Sequence, residues 1–228
     1  MQDLRYKDRI LKISCDGGGA TGKSTGAKLI SKKYKLKFLS SGLLYRYVSY
    51  LVLKYKPKNK LRFIKKKFES LNYTRLEKIN LHTQDISKKS SALAKIDGIR
   101  KILKKFQIEF SKKHENCCIE GRDISTKILP KSDVKFFFKC SLKIAARRRY
   151  NELKKKNPNI KLNEVKKALK IRNYLDTTRK NSPLLKHRDS IEIDTGKLSK
   201  TAMLSKMSKH INKVLKKKYE NWTRIGKH

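Results

Sequence analysis

Residues 17–24 read GGGATGKS and match the phosphate-loop pattern G-x-x-x-x-G-K-[ST] at every position. Residues 11–15 (LKISC) before the loop alternate apolar and polar side chains, which predicts a β-strand, and residues 24–34 after it carry apolar side chains at helical spacing. A strand, a glycine-rich loop and a helix in this order are the context in which the pattern binds phosphate. The motif therefore predicts an α/β fold with an anion-binding turn near residue 20.

The residue types of this loop indicate a nucleoside triphosphate as the ligand. Gly17 and Gly22 permit torsions that turn successive N–H groups inward, and the helix that follows adds its positive N-terminal end. We expect Lys23 to reach the β- and γ-phosphates, and the Ser24 hydroxyl to bind the Mg²⁺ ion that bridges them. The predicted ATP-binding loop comprises Gly17, Gly18, Gly19, Ala20, Thr21, Gly22, Lys23, Ser24 and Thr25.

The chain is strongly basic, since 61 lysines and arginines against 19 aspartates and glutamates give its 228 residues a formal net charge of +42. Such a charge raises the question of a nucleic-acid partner. The lysine runs at residues 65–67, 154–156 and 216–218 lie far apart in the sequence, which favours a general enrichment in lysine. Non-specific nucleic-acid binding stays open, and an anionic substrate benefits from the positive field in either case.

The cysteines and the hydropathy indicate the compartment. Cys15, Cys117, Cys118 and Cys140 show no C-x-x-C spacing, which predicts buried thiols in a reducing environment. No apolar run approaches the length of a membrane-spanning helix, and the first ten residues lack a signal-peptide core. We therefore expect a cytoplasmic protein without a membrane partner, and a monomer by default.

Apolar patterning divides the rest of the chain into alternating strands and helices. Further strands are predicted at residues 37–40, 117–120, 133–140 and 190–194, and helices at 42–55, 85–113 with an interruption near Gly98, 141–155, 162–178 and 199–219. The lysine-rich residues 58–80 have weak helical spacing and are interpreted as a small, mostly helical insertion. The alternation predicts a parallel sheet with helices on both faces and ligands at the carboxyl ends of its strands.

Three segments supply arginines for a second anionic ligand, because guanidinium groups bind phosphate in a bidentate way. They contain Ser41 and Arg46 after the second strand, Arg122 and Asp123 after the third, and Arg172, Asp176 and Arg179 on one face of a helix. In the helix, the carboxylate would hold both guanidinium groups and could accept a hydrogen bond from a base amino group. Taken alone, this spacing is more typical of ion pairs on a solvated helix face.

In their order and wording these segments resemble the bacterial cytidylate kinases, a branch of the nucleoside monophosphate kinases. The resemblance covers residues 11–215, and its most specific motifs are DGGGATGKST (16–25), SSGLLYR (40–46), HTQDIS (82–87) and EGRDISTKILPKSDVKFFF (120–138). It implies a P-loop NTPase-type α/β core with a parallel five-stranded sheet, an insertion that binds the nucleoside monophosphate, and a closing lid. The implied reaction converts ATP and CMP or dCMP to ADP and CDP or dCDP, with Mg²⁺ bound as Mg-ATP.

The resemblance also implies roles for individual residues. The implied CMP-binding residues are Ser41, Arg46, Ser91, Arg100, Arg122, Asp123, Asp176 and Arg179. The implied catalytic residues are Lys23, Arg122, Asp123, Arg172 and Arg179, and Arg148 joins the residues of the loop on the ATP side.

Several positions depart from the family pattern. Ser40 stands where the family usually has Asp, Gly18 where it has Pro, and His82 where an arginine is expected, and Leu175 and Thr177 replace charged residues. These changes leave the triphosphate site intact and remove polar groups from the acceptor site. We therefore expect weaker acceptor binding than is usual in the family, with relaxed discrimination against dCMP.

The resemblance implies a single domain over residues 1–228. Its core would comprise residues 9–56, 84–153 and 186–219, with the insertion at 57–83, the lid at 154–185 and a frayed tail at 220–228. Two other functions stay open: a P-loop kinase for UMP, shikimate or dephospho-coenzyme A, and a basic nucleic-acid-binding protein that binds ATP as a ligand. Asp176 and Ser91 favour cytosine over uracil, because cytosine offers an amino donor where uracil offers a carbonyl.

Overall fold

The computed structural model describes residues 10–155 and 157–225, without the side chains of residues 77, 84 and 219–225. A sheet lies at its centre and consists of β1 (Lys12–Gly17), β2 (Lys37–Ser40), β3 (Cys117–Gly121), β4 (Val134–Lys139) and β5 (Ile191–Asp194). All neighbouring strands are parallel, in the order β2-β3-β1-β4-β5. The predicted parallel five-stranded sheet is confirmed.

Helices connect the strands and cover the sheet. Within the described residues they are α1 (Lys23–Lys33), α2 (Ser41–Tyr55), α3 (Lys60–Glu69), α4 (Gln84–Leu93), α5 (Asp97–Lys113), α6 (Leu142–Lys154), α7 (Leu162–Thr178) and α8 (Lys200–Ile225). A 3₁₀ turn (Tyr73–Lys78) lies between α3 and α4, and a π-helical turn (Ile124–Ile128) follows β3. The segment interpreted as a mostly helical insertion thus contains α3 and the 3₁₀ turn.

Both faces of the sheet are covered by helices, as expected for parallel strands whose apolar side chains point to both sides. On one face α1 and α8 pack over β1 and β4, and this core contains Ile30, Phe136 and Met207. On the other face α2 to α5 form a second core, which contains Leu44 and Leu103. The sheet is therefore held between two separate apolar layers.

The predicted interruption near Gly98 is confirmed, and one predicted helix boundary is wrong. The apolar stripe of residues 85–113 forms two helices that are separated at residues 94–96, and Gly98 lies within α5. A Cβ at Gly98 would lie 2.8 Å from the Leu61 side chain, so this glycine accommodates a close approach of α3 and does not break the helix. The last helix, predicted to end at residue 219, extends to Ile225. Residues 226–228 of the predicted tail and residue 156 of the predicted lid lie outside the described residues.

The sequence predicted buried cysteine thiols, and three of the four are buried. Cys15, Cys117 and Cys118 are buried, Cys140 is half-buried, and all four are free thiols. Among the residues with described coordinates, no helix combines the length and the apolar character needed to span a bilayer.

The strand register aligns two predicted site segments at one edge of the sheet. Asp16 of β1 lies opposite Gly121 of β3, and Ser40 at the end of β2 lies opposite Glu120. The chain leaves each of these strands at its carboxyl end, which is where parallel α/β sheets bind ligands. The phosphate loop after β1 and the segment after β3 are therefore neighbours.

Gly26 marks a close contact between α1 and the sheet. A Cβ there would lie 2.6 Å from Cε1 of Phe138. The cost of this overpacking outweighs the gain in helix propensity from alanine. We therefore expect Gly26→Ala to lower the free energy of unfolding in urea by about 1–2 kcal/mol. Gly42→Ala in α2 is the matched control, because its Cβ would meet only Ser40 Oγ, at 3.7 Å. The control should be neutral or slightly stabilising, and equal losses in both variants would contradict the packing explanation.

Candidate active site

The phosphate loop connects β1 to α1 and has the backbone conformation that its glycines permit. Gly22, directly before α1, has a φ of 81°, and Ala20 is also left-handed, with a φ of 56°. At Gly17 a Cβ would lie 2.4 Å from the carbonyl oxygen of Phe138, which excludes a side chain there without a shift of β4. Left-handed residues interspersed in such a turn give the geometry of an anion-binding nest.

The Lys23 ammonium group lies over this loop. Its Nζ is 3.3 Å from the Gly18 carbonyl oxygen and 3.7 Å from Oε2 of Glu120. Glu120, in β3, is buried, and its carboxylate accepts a hydrogen bond from the hydroxyl group of Ser40. Sequence reasoning missed Glu120 as a site residue. The signal was an acidic residue at the end of a buried strand, where an unpaired charge would be costly.

The charges in this cluster shift one another's ionisation. Burial lowers the pKa of Lys23 to about 8, and the guanidinium groups of Arg122 and Arg172 lower it as well. Burial raises the pKa of Glu120, but Lys23 and the hydrogen bond from Ser40 outweigh this effect and hold the pKa below its usual value. The carboxylate is therefore ionised at neutral pH, while the lysine begins to lose its charge in mildly alkaline solution.

Asp176, in α7, holds three of the predicted arginines together. Its Oδ2 accepts a hydrogen bond from Nε of Arg122 at 2.9 Å and lies 4.0 Å from Nε of Arg172. Its Oδ1 lies 3.3 Å from Nη1 of Arg179. The side chains of Arg122, Asp176 and Arg179 are each only 15% exposed, so these contacts are not ion pairs on a solvated helix face. Burial raises the pKa of Asp176, but the positive charges of Arg122 and Arg172 outweigh this effect and hold the pKa below its usual value.

A second ion pair stands beside this network. Nη2 of Arg100 lies 2.6 Å from Oδ2 of Asp123, and Nη1 of Arg100 donates to the Ala94 carbonyl at 3.3 Å. Both networks line one pocket, which we call the arginine pocket. Its lining residues are Ser41, Gly42, Tyr45, Ser90, Ser91, Ala94, Lys95, Arg100, Gly121, Arg122, Asp123, Arg172, Leu175, Asp176 and Arg179. Of the residues predicted to bind CMP, only Arg46 does not line it.

A central cleft joins the arginine pocket to the phosphate loop. Gly42, Arg122 and Arg172 line both the pocket and the cleft, and Lys23 and Glu120 line the cleft on the side of the loop. The residues predicted to bind a triphosphate and those predicted to bind a second anion therefore face the same open space.

Arg46 and His82 lie on the wall of the central cleft. Nη1 of Arg46 donates to the Leu81 carbonyl at 3.0 Å and to Oγ of Ser87 at 2.7 Å, so this arginine ties α2 to the start of α4. His82 is exposed beside it. The side chain expected to replace an arginine is thus in the cleft, next to one of the remaining arginines.

Arg148 lies beside the phosphate loop in a pocket of its own. Its Nη1 and Nη2 donate to Oγ1 and to the carbonyl oxygen of Thr195, each at 2.8 Å. Residues 20–25 line this pocket, which shares no lining residue with the arginine pocket. The neighbouring Arg149, which sequence reasoning did not select, lines the central cleft and pairs with Glu152 at 2.9 Å.

Asn173, in α7, is a further residue that the sequence did not reveal. Its Oδ1 accepts a hydrogen bond from the backbone N–H of Gly19 at 3.1 Å, in the middle of the phosphate loop. A Cβ at Gly18 would lie 3.3 Å from the same oxygen, so the glycine in place of proline leaves room for this contact. Helix α7 therefore contacts the phosphate loop through Asn173 and the arginine pocket through Asp176.

A parallel sheet with a phosphate loop after β1, and a cationic pocket at the same edge, defines a P-loop protein of the nucleotide-binding α/β class. A family model described as cytidylate kinase matches residues 13–213. The cytidylate kinase of Fusobacterium nucleatum is 36% identical over 218 residues, which cover 91% of this chain and 99% of that protein. The cytidylate kinase of Clostridium tetani is 32% identical over 219 residues, which cover 91% and 96%. The chain belongs to the cytidylate kinase family.

Solved structures support the fold. The crystal structure of an uncharacterized protein from Eubacterium ventriosum has a TM-score of 0.50 at 15% sequence identity, and the match covers 89% of this chain and 98% of that one. At this identity the similarity concerns the fold alone.

The environment of Lys23 predicts that ATP binding weakens in mildly alkaline solution. Burial lowers the pKa of Lys23 to about 8, and a bound phosphate favours the charged ammonium form, so binding above pH 8 takes up a proton. The affinity for Mg-ATP, measured by calorimetry, should fall by up to about tenfold per pH unit above pH 8. Lys23→Arg stays charged over this range and should show a flatter profile, whereas an equally steep decline in this variant would refute the assignment.

The Asn173 contact predicts a competition between α7 and the triphosphate for the loop. Because one neutral hydrogen bond contributes about 0.5–1.5 kcal/mol, Asn173→Ala should bind Mg-ATP about two- to tenfold more tightly. Asn173→Asp should bind it more weakly than the unmodified protein, because a carboxylate would face the phosphates. Weaker binding by Asn173→Ala would show that the amide supports the nucleotide and does not compete with it.

Proposed function

We propose that this protein transfers the γ-phosphoryl group of ATP to CMP and dCMP, giving ADP and CDP or dCDP. The observation that carries the proposal is the continuity of the site, because Arg122 and Arg172 line both the arginine pocket and the cleft that contains Lys23. A triphosphate on the loop and a monophosphate on the arginines would face each other without an intervening wall. Membership of the cytidylate kinase family supports CMP as the acceptor.

The transfer needs no covalent intermediate. A phosphate oxygen of CMP would attack the γ-phosphorus in line, and the bond from that phosphorus to the bridging oxygen of ADP would break. Lys23, Arg122, Arg172 and Arg179 would stabilise the charge on the transferring group, so that positioning and electrostatics supply the catalysis.

Ser24 and Glu120 fit the Mg²⁺ ion that such a transfer uses. The Ser24 hydroxyl and the Glu120 carboxylate, which both line the central cleft, would provide hard oxygen atoms beside the phosphate loop. The ion, carried by the phosphates of ATP, would add positive charge at the transferring group.

The polar groups of the arginine pocket support cytosine over uracil. The carboxylates of Asp123 and Asp176 are each held by arginines, yet a carboxylate has lone pairs for further donors. Cytosine offers an amino group to such an acceptor, and uracil offers a carbonyl. Ser41 and Ser91 add hydroxyl groups to the same wall, where they could bind the ribose or the base.

The predicted insertion and lid keep their assignments in this proposal, at residues 57–83 and 154–185. Helix α7 would close over both substrates, since it lies beside the phosphate loop and the arginine pocket, and Asn173 would release Gly19 when the triphosphate binds. Closure excludes water from the γ-phosphate and so suppresses ATP hydrolysis.

The departures from the family pattern support weaker binding of the acceptor. Leu175 lines the arginine pocket and offers no polar group there, and His82 supplies a smaller side chain than arginine on the cleft wall. Thr177 lies outside the pocket and bonds to carbonyl groups of its own helix. Ser40 contacts Glu120, so the serine at this position would affect the phosphate-loop side of the cleft.

The net charge of +42 favours the capture of anionic substrates and permits non-specific nucleic-acid binding. Family membership does not favour a nucleic-acid-binding protein, or a kinase for shikimate or dephospho-coenzyme A, as the primary function. We propose a monomeric protein of the cytoplasm.

The proposal predicts a defined acceptor range. Chromatographic analysis of the products from Mg-ATP with CMP, dCMP, UMP, AMP, shikimate, dephospho-coenzyme A or no acceptor should show rapid turnover with CMP and dCMP alone. Lys23→Ala should lower kcat by at least about a hundredfold, because one charge-stabilising donor contributes roughly 2.7–4 kcal/mol to such transition states.

A matched lysine variant distinguishes the loss of a site residue from the loss of one positive charge. Lys32→Ala removes an exposed lysine from the same helix and should leave turnover unchanged. Turnover confined to another acceptor, or loss of activity in both lysine variants, would overturn the proposed function.

A further inference from the structure

Asp16 is a fully buried carboxylate between the two phosphate sites. It lies in β1 immediately before Gly17, yet its hydrogen bonds do not go to the phosphate loop. Oδ1 accepts from the N–H of Ile124 at 2.8 Å, and Oδ2 accepts from the N–H and the hydroxyl of Ser125 at 2.7 and 2.6 Å. The carboxylate therefore binds the segment that follows Arg122 and Asp123.

These N–H groups are the first two of the π-helical turn (Ile124–Ile128). The first N–H groups of a helical turn have no partner within it, and an aspartate directly before the turn is usually the residue that accepts from them. Asp123 occupies that position, but its side chain makes no such capping bond. The capping is done by Asp16, from a neighbouring strand.

Capping by Asp16 leaves the carboxylate of Asp123 free to make another contact. This carboxylate is directed to Arg100, at 2.6 Å, and this ion pair stands in the wall of the arginine pocket. Because Asp16 accepts the bonds from the start of the turn, Asp123 makes no capping bond and its Oδ2 pairs with Arg100. π-helical turns recur at functional sites, where they direct particular side chains.

We propose that Asp16 is a positioning residue for the acceptor site. It caps the turn after β3 in place of Asp123, and thereby allows Asp123 to hold Arg100 and fixes Arg122 beside Asp176. Although Asp16 is adjacent in sequence to the ATP-binding loop, its replacement affects the binding of CMP and not that of ATP. The inference rests on the proposed function for the identity of the acceptor.

The substitution Asp16→Asn separates these effects. It keeps the size of the side chain but turns one acceptor oxygen into an amino group, which faces N–H donors. The KM for CMP should rise by about tenfold or more, while the KM for ATP stays within about twofold. Calorimetric titration with CMP alone should show the same loss of affinity.

Two further variants control for stability. Ser125→Ala removes the hydrogen bond from the hydroxyl group and keeps both backbone hydrogen bonds to Asp16. It should also raise the KM for CMP, but by a smaller factor than Asp16→Asn. If Asp16→Asn does not fold, Ser125→Ala tests the inference in its place. Ser14→Ala, on the same strand and equally buried, loses only a bond to Oγ of Ser132. It should lower the stability and leave both KM values unchanged.

A double-mutant cycle tests the inference without reference to activity. The coupling between Arg100→Gln and Asp123→Asn in the free energy of unfolding should be present in the native sequence and lost in the Asp16→Asn background. An unchanged coupling, or a KM for ATP that rises as much as the KM for CMP, would overturn the role of Asp16. An unmodified protein that does not phosphorylate CMP would overturn the proposed function instead, and the cycle would still decide the role of Asp16.

Discussion

The parallel pairing of β1 with β3 is the constraint on which the rest of the site depends. Its register sets Asp16 opposite Gly121, so the phosphate loop and the Arg122–Asp123 segment leave the sheet side by side. The hydrogen bonds from Ile124 and Ser125 to Asp16 then fix the second segment relative to the first. Two predicted anion-binding elements that are about a hundred residues apart in sequence line one cleft because two strands pair.

Helix α7 adds the third side of this cleft and connects its two ends. Successive turns present Leu169 and Asn173 to the phosphate loop and Asp176 to the arginines. Burial lowers the pKa of Lys23 to about 8, and the positive charges of Arg122 and Arg172 contribute to this shift, even with Glu120 and Asp176 nearby. An anion that enters this site is stabilised by the positive charges around it, and such stabilisation suits phosphoryl transfer.

The sequence predicted those parts of the structure that depend on local patterns. The phosphate loop was identifiable because Gly17, Gly22 and Lys23 act within one turn, and the strands because their apolar residues alternate with polar ones or form short runs. The predicted interruption near Gly98 lies at residues 94–96, but the contact of Gly98 itself with the distant Leu61 depends on tertiary packing. The contacts of Glu120, and of Asn173 with a loop 154 residues away, depend on tertiary packing, which no local pattern encodes.

The proposed function requires ATP and CMP to occupy one continuous cleft. Calorimetric titration with a bisubstrate molecule, in which five phosphates join adenosine to cytidine, would measure whether they do. We predict one molecule bound per chain, with an affinity above that of either nucleotide and with displacement by ATP and by CMP separately. Displacement by ATP alone, or an affinity no greater than that of ATP, would contradict the claim.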